Sequence, residues 1–265
     1  MEPELRRGIE SLQLGLKVYW LPGCSSCVKV KEHLNNLNVP FESVNVASDP
    51  RSMDDLLQLG VRSVPVVTRG SAYVFAQSLE AVTAFVGKAK TDRVVQKPAF
   101  YLEKWLFLLA VGRSYLDAVP QEVLERDVIK ERKRAIGELV YHVYQIPKAF
   151  VHCMRHNDPD WLFLSSGPAE MDIALTKPRL RQYAQEATEQ LTNYWNGGQT
   201  DFKIQPMTLD KGLKTSMELL DRSSWHSAQH LRQIVSALER EGVALTPAWD
   251  AGFYSGLNVP EQLWT

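Results

Sequence analysis

The sequence predicts an α/β domain followed by an all-α domain, and three observations carry that expectation. Up to about residue 87, short β-patterned runs alternate with helical ones in the order β-α-β-α-β-β-α. After Pro98 long helical stripes take over, and no alternating strand is convincing. Cys24-Ser25-Ser26-Cys27 falls where the first strand gives way to the first helix.

Residues 1–15 read as a loose or helical lead-in. Leu16 to Trp20 is apolar and β-prone, and Pro22-Gly23 makes a turn. From Val28 to Leu37, Val30, Leu34 and Leu37 recur at helical spacing. Val39 to Val46 alternates as a second strand. Asp49-Pro50 opens a helix over Arg51 to Leu59, closed by Gly60. Val64 to Thr68 and Ala72 to Phe75 form a hairpin turned at Arg69-Gly70. Ser78 caps a last helix, Leu79 to Val86. The first domain therefore spans 1–87. Residues 88–98, polar and basic with a closing proline, are a linker.

Residues 99–265 read as an antiparallel four-helix bundle. The first helix runs from Phe100 to Val119 and stops at Pro120. The second runs from Gln121 to His156, kinked at Pro147, with Leu139, Val143, Ile146 and Phe150 in one stripe. A loop through Ser165-Ser166-Gly167-Pro168 leads to the third, Pro178 to Trp195. The fourth is capped at Thr208 or Asp210 and reaches Glu241. An aromatic tail (Trp249, Phe253, Tyr254, Trp264) packs back on the bundle.

The cysteine pair carries the first chemistry. At a helix N-terminus, unpaired N–H groups and the helix dipole favour a thiolate. Cys24 is placed to attack a disulfide, and Cys27, one turn on, to resolve the mixed disulfide. A zinc half-site or a structural pair are the alternatives. Zinc would ask for further cysteines or histidines, and this domain offers only His33.

On these residues the first ~90 positions resemble a glutaredoxin of the thioredoxin superfamily. The matches are the C-x-x-C at the first helix and Ser63-Val64-Pro65, which resembles the family's T-V-P. The resemblance implies a thioredoxin-like fold and a cis Pro65 beside the cysteines. It also implies substrate binding at Val64 and Pro65, the Val64 backbone pairing with a bound thiol or peptide. C-S-S-C stands here for the family's C-P-Y-C, and Ala76-Gln77-Ser78 for its later glycine pair and acidic residue. Dithiol exchange is expected, with a small thiol or disulfide as substrate and a low-molecular-weight thiol such as glutathione as co-reactant.

A second constellation lies in the fourth helix. His226 and His230 are four apart and share its inward face with Leu219, Ser223 and Ile234. His142 is similarly placed in the second helix. Such a pair plus one histidine from a facing helix can hold a divalent metal and leave positions open. The alternative is hydrogen-bonded core histidines. His152 and His156 repeat the spacing, but at a helix C-terminus, where the dipole favours histidine without a metal. Cys153 beside them reads as a small buried hydrophobe.

Leu139-Val140-Tyr141-His142, the His226/His230 pair followed by Arg232-Gln233, and Gly256-Leu257-Asn258-Val259-Pro260 through Trp264 resemble the DinB-like bundle family. That resemblance implies metal ligation by His142, His226 and His230, with zinc, nickel or iron as the ion. It also implies thiol-dependent transferase or isomerase chemistry.

The 265 residues are 45% hydrophobic and 23% charged with net charge −1, which gives no argument for a nucleic-acid or membrane partner. The N-terminus has no apolar core of signal-peptide length, and three cysteines make no disulfide scaffold, so the cytoplasm is expected. A homodimer is compatible with the composition. The expected function is thiol-dependent catalysis that combines exchange at Cys24/Cys27 with a metal centre in the bundle. The alternatives are a plain dithiol oxidoreductase whose bundle docks or dimerises, and a metal or thiol sensor.

Overall fold

In the computed structural model, which describes residues 15–89, 95–158, 160, 175–196 and 215–265, the first unit is built on a four-stranded sheet. Its strands are β1 (Lys17–Trp20), β2 (Glu42–Asn45), β3 (Val66–Arg69) and β4 (Ala72–Phe75), in the order β2-β1-β3-β4. β2 runs parallel to β1, while β3 and β4 run antiparallel to their neighbours. Gly70, at φ 61°, turns the β3–β4 hairpin with Ser71, so the turn falls one residue later than expected.

Strand alternation sorts the core onto two faces. Val18 and Val67 join Val30 and Leu34 of α1 (Ser25–Asn36) and Val82 of α3 (Leu79–Phe85). Tyr19 and Val66 point the other way, onto Leu56 of α2 (Pro50–Gln58). The caps follow the sequence: Asp49 accepts from the Arg51 N–H at 3.1 Å, and Ser78 from the Ala81 N–H at 3.2 Å.

The second unit, Val94–Val259, is dominated by helices. These are α4 (Pro98–Ala118), the short α5 (Gln121–Leu124), α6 (Ile136–His156), α7 (Lys177–Asn196) and α8 (Ser216–Arg240). α6 packs on α7 and α8, and α4 packs on the same two. Trp105, Phe150 and Tyr194 tie α4, α6 and α7 together by edge-to-face contacts, with centroids 5.4 and 5.9 Å apart. α8 is buried on nearly every side from Ser216 to Leu238.

Three expectations are corrected here. The helix from Gln121 to His156 is not continuous. Between α5 and α6 lies a hairpin, β5 (Asp127–Ile129) and β6 (Arg132–Ala135). It is held by side chains that local periodicity does not show. The Asp127 carboxylate accepts the Arg134 N–H at 2.9 Å, and the Arg240 guanidinium, from the end of α8, donates to the carbonyls of Val128 and Asp127 at 2.9 and 3.0 Å. α8 is capped by Thr215, whose hydroxyl accepts the Glu218 N–H at 3.1 Å while Glu218 reaches back to the Thr215 N–H at 3.2 Å. Thr208, Asp210 and the expected loop at Ser165–Pro168 lie outside the described residues. Finally, the tail divides. Trp249 and Phe253 pack on Tyr115 and Val235, whereas Pro260–Thr265 belong to the first unit. There the Glu32 carboxylate accepts the N–H groups of Glu261 and Gln262 at 3.0 and 2.7 Å, and charged acceptors make the stronger backbone bonds. Among the described residues no helix is long and apolar enough to cross a membrane.

Candidate functional site

β1 delivers the chain to the cysteines and α1 begins on them. Gly23, at φ 71°, makes the turn that a side chain would resist. Cys24 is the N-cap of α1, and its Sγ accepts the Cys27 N–H at 3.2 Å. That is the hydrogen bond an N-cap thiolate needs. The two cysteines form a disulfide with Cα atoms 5.2 Å apart. Cys24 is half-buried and Cys27 wholly buried, so an incoming sulfur meets Cys24 first. The Val64–Pro65 peptide is cis, as the resemblance implied, and Pro65 precedes β3 at the centre of the sheet.

Among the described residues His33 takes no part in a metal-ligating cluster. Its Nε2 pairs with the Thr83 hydroxyl at 2.7 Å, tying α1 to α3, and burial lowers its pKa below the ordinary 6.5. His152 pairs with Asp158 at 3.0 Å at the open end of α6. Cys153 is wholly buried.

The second constellation converges. α6 and α8 bring His142, His226 and His230 together so that one ligand atom from each lies within 4.8 Å of the others. Ring centroids stand 5.4 Å (His142–His226), 4.8 Å (His142–His230) and 4.6 Å (His226–His230) apart. All three are buried. Nε2 of His226 and Nε2 of His230 face each other at 2.9 Å, and Nδ1 of His230 meets Gln233 Oε1 at 2.7 Å. The amide oxygen accepts, so the His230 proton sits on Nδ1 and the Nε2 lone pair is left pointing into the cluster. The Nδ1 of His226 is buried with no hydrogen-bond partner among the described residues.

Electrostatics keep His226 and His230 neutral. Burial first, then electrostatic coupling to His230, Arg222, His142 and Arg134, holds the His226 pKa well below 6.5. Burial, His142 and Arg134 do the same at His230, against the raising effect of Gln233. Neutral imidazole is the form that binds a metal, and a second-layer acceptor fixing the ring is the usual companion of such a ligand. The residues present therefore fit a divalent ion.

Four residues at this site were not foreseen. Gln233 was visible in the motif, three positions after His230, but nothing marked its role. Arg132 and Arg134 were hidden because their stretch read as helix, where their spacing of two separates them. Arg222, one turn before His226, is 3% exposed, and a charged residue gives no sequence sign of burial.

Residues 16–74 match the family model described as Glutaredoxin. An uncharacterized glutaredoxin-like 8.6 kDa protein of Clostridium pasteurianum is 30% identical over 83 residues, which is 31% of this chain and 99% of that protein. N-acetyl-S-hydroxy-L-cysteine reductase of Bacillus subtilis is 41% identical over 64 residues, 23% of this chain and 68% of that one. The glutaredoxin-like protein NrdH of Lactococcus lactis is 29% identical over 52 residues, 20% of this chain and 72% of its own length. With the sheet order, the cis proline and the capping cysteine already in place, the chain belongs, through its N-terminal part, to the glutaredoxin family of thiol–disulfide oxidoreductases.

Proposed function

We propose that the protein joins dithiol exchange at Cys24 and Cys27 to a metal-dependent thiol transferase or isomerase reaction in a DinB-like four-helix bundle. The observation that supports it most is the convergence of His142, His226 and His230 from two helices onto one point, with their ligand atoms within 4.8 Å. His142, His226 and His230 would hold a divalent ion, zinc, nickel or iron, which would supply a Lewis acid for a small thiol or its electrophile.

The chain's own residues do the remaining work. Gln233 holds the His230 ring in one tautomer. Burial keeps His226 and His230 unprotonated and ready to ligate. In the first unit, the Cys24 thiolate attacks a substrate disulfide and a thiolate leaves. The Cys27 thiolate then attacks Cys24 Sγ, releases the second thiol and closes the Cys24–Cys27 disulfide. Two electrons pass from the chain to the substrate, and a low-molecular-weight thiol such as glutathione returns them. The backbone of Val64, beside Pro65, holds the incoming thiol or peptide.

The test is thiol consumption with an added electrophile, monochlorobimane, in the metal-reconstituted full chain across glutathione, cysteine and 2-mercaptoethanol. The proposal expects metal-dependent conjugation with one of them, lost in His226→Ala and slowed in Cys24→Ser when reductant is limiting. Conjugation that His226→Ala leaves intact contradicts the metal reaction. A Cys24→Ser chain that turns over normally under every reductant contradicts the coupling.

A further inference from the structure

α1 buries two of its faces. Val30 and Leu34 point into the core of the first unit. Ser25, Lys29 and Glu32 recur at helical spacing on the opposite side, where a helix of an isolated unit meets water. Yet Ser25 is 1% exposed and Lys29 8%, although lysine is seldom buried. That outward stripe is covered, and the hydrogen bonds place Pro260–Thr265 on it.

The segment is held at two points. The Glu32 carboxylate, on the stripe itself, accepts the N–H groups of Glu261 and Gln262 at 3.0 and 2.7 Å. The Thr265 hydroxyl donates to the Leu21 carbonyl at 3.3 Å. From Glu32 to Leu21 is the direction from the body of α1 back past its N-terminus, so Pro260–Thr265 runs along the helix toward Cys24. Leu263 and Trp264, both half-buried, come between the two anchors. The Leu21 carbonyl also accepts the Cys24 N–H at 3.2 Å, so the segment and the attacking residue share one acceptor. Across the sheet, Val66 pairs with Tyr19, which sets Pro65 beside the end of β1 where the same loop begins.

Resting on the dithiol exchange proposed above, we infer that Pro260–Thr265 is the specificity element of the cysteine site: it walls the Leu21 side of Cys24, so that the site takes small disulfides and rejects protein disulfides. A protein disulfide brings chain on both sides of its sulfurs and has to occupy the surface around Cys24. A small disulfide needs only the sulfur. The larger substrate therefore has to lift the segment off Glu32, and a carboxylate accepting backbone N–H groups is a stronger anchor than a neutral acceptor.

The experiment uses the full chain, reduced with dithiothreitol and desalted, then mixed with hydroxyethyl disulfide or with insulin. Maleimide trapping and intact-protein mass spectrometry follow the loss of free thiols, and each rate is divided by that of free dithiothreitol with the same disulfide. In wild type the corrected rate with insulin should lie at least about tenfold below that with hydroxyethyl disulfide, the factor that one charge-assisted hydrogen bond supplies. Deleting Pro260–Thr265 should remove most of that gap by raising the insulin rate and leaving the hydroxyethyl disulfide rate unchanged. Glu32→Ala takes away both acceptors without shortening the chain, and it should narrow the gap in the same way where the deletion does not fold. Equal corrected rates in wild type overturn the inference without any variant having to fold. So does a gap that the folded Glu32→Ala chain keeps in full. A reduced chain that neither disulfide oxidises contradicts the exchange reading instead, and this inference with it.

Discussion

Cys24 and Cys27 differ in access more than in chemistry. Cys24 caps α1 and is half-buried, while Cys27 lies inside the first turn and is wholly buried. In the proposed exchange Cys24 is the attacking sulfur, and the variants should then have opposite consequences. Cys27→Ser treated with oxidised glutathione should accumulate one glutathione adduct, on Cys24, because no second thiol resolves it. Cys24→Ser should accumulate none. Intact-protein mass spectrometry reads both, and an adduct on Cys24→Ser would reverse the assignment. The histidines give a pH signature. His33, His226 and His230 all titrate lower in the folded chain than their ordinary 6.5, with burial the largest cause at each. Below pH 6.5 the unfolded chain therefore binds protons that the folded chain refuses, and stability is lost as pH falls. Denaturant titration of the metal-free chain should give a lower midpoint at pH 5.5 than at pH 7.5. A midpoint that rises on acidification contradicts that reading.

At the scale of elements, α8 is the centre of the second unit, and the end of its Leu231 side chain comes close to α4 at Gly112. A Cβ added at Gly112 would lie 2.6 Å from Cδ2 of Leu231 and 3.0 Å from the Tyr144 hydroxyl. That hydroxyl is itself committed to the Leu109 carbonyl at 2.9 Å. Overpacking of a tight core costs about 1–3 kcal/mol, against a gain of less than ~1 kcal/mol in helix propensity. Gly112→Ala should thus lose about 1–2 kcal/mol in a denaturant melt, and a variant as stable as wild type would show that the helices can part there. Gly256 is equally confined: its φ is 85°, and a Cβ there would lie 2.6 Å from Cζ of Phe100, so the closing Gly-Leu motif admits no side chain at its first position.

Local pattern was enough for much of this. The strands and helices of the first unit, the Ser78 cap and the inward face of His226 and His230 are stated by residues within a few positions of each other. The β5–β6 hairpin was not, because its fastening comes from Arg240, more than a hundred residues away. Reading Arg132 to Ala135 as helix then scattered the two arginines around a cylinder, whereas β6 puts them on one face. The convergence of His142 on the other two histidines was legible only as a shared inward face. The distances required the packing of α6 on α8.

At the scale of the molecule, the chain contains two compact units, Met1–Arg93 with Pro260–Thr265, and Val94–Val259. Each holds one chemically equipped cluster. The first is a redox-spaced cysteine pair on a glutaredoxin scaffold, and the second is a buried trio of histidines among arginine charges. In the proposed function thiols are the reagent common to both, which is the reason for reading the fusion as one enzyme. The last six residues join the first unit through Glu32, and the Thr265 hydroxyl donates to the Leu21 carbonyl, which also accepts the Cys24 N–H at 3.2 Å.

The measurement that tests the central claim most directly is metal content, by elemental mass spectrometry, of wild type and His226→Ala purified without a histidine tag. The account predicts about one divalent ion per chain in wild type, from a three-histidine site that keeps its ion through purification, and loss of that ion in His226→Ala. No bound metal in wild type, even after reconstitution with zinc, nickel and iron, would contradict it and leave the cysteine pair as the chain's single chemical centre.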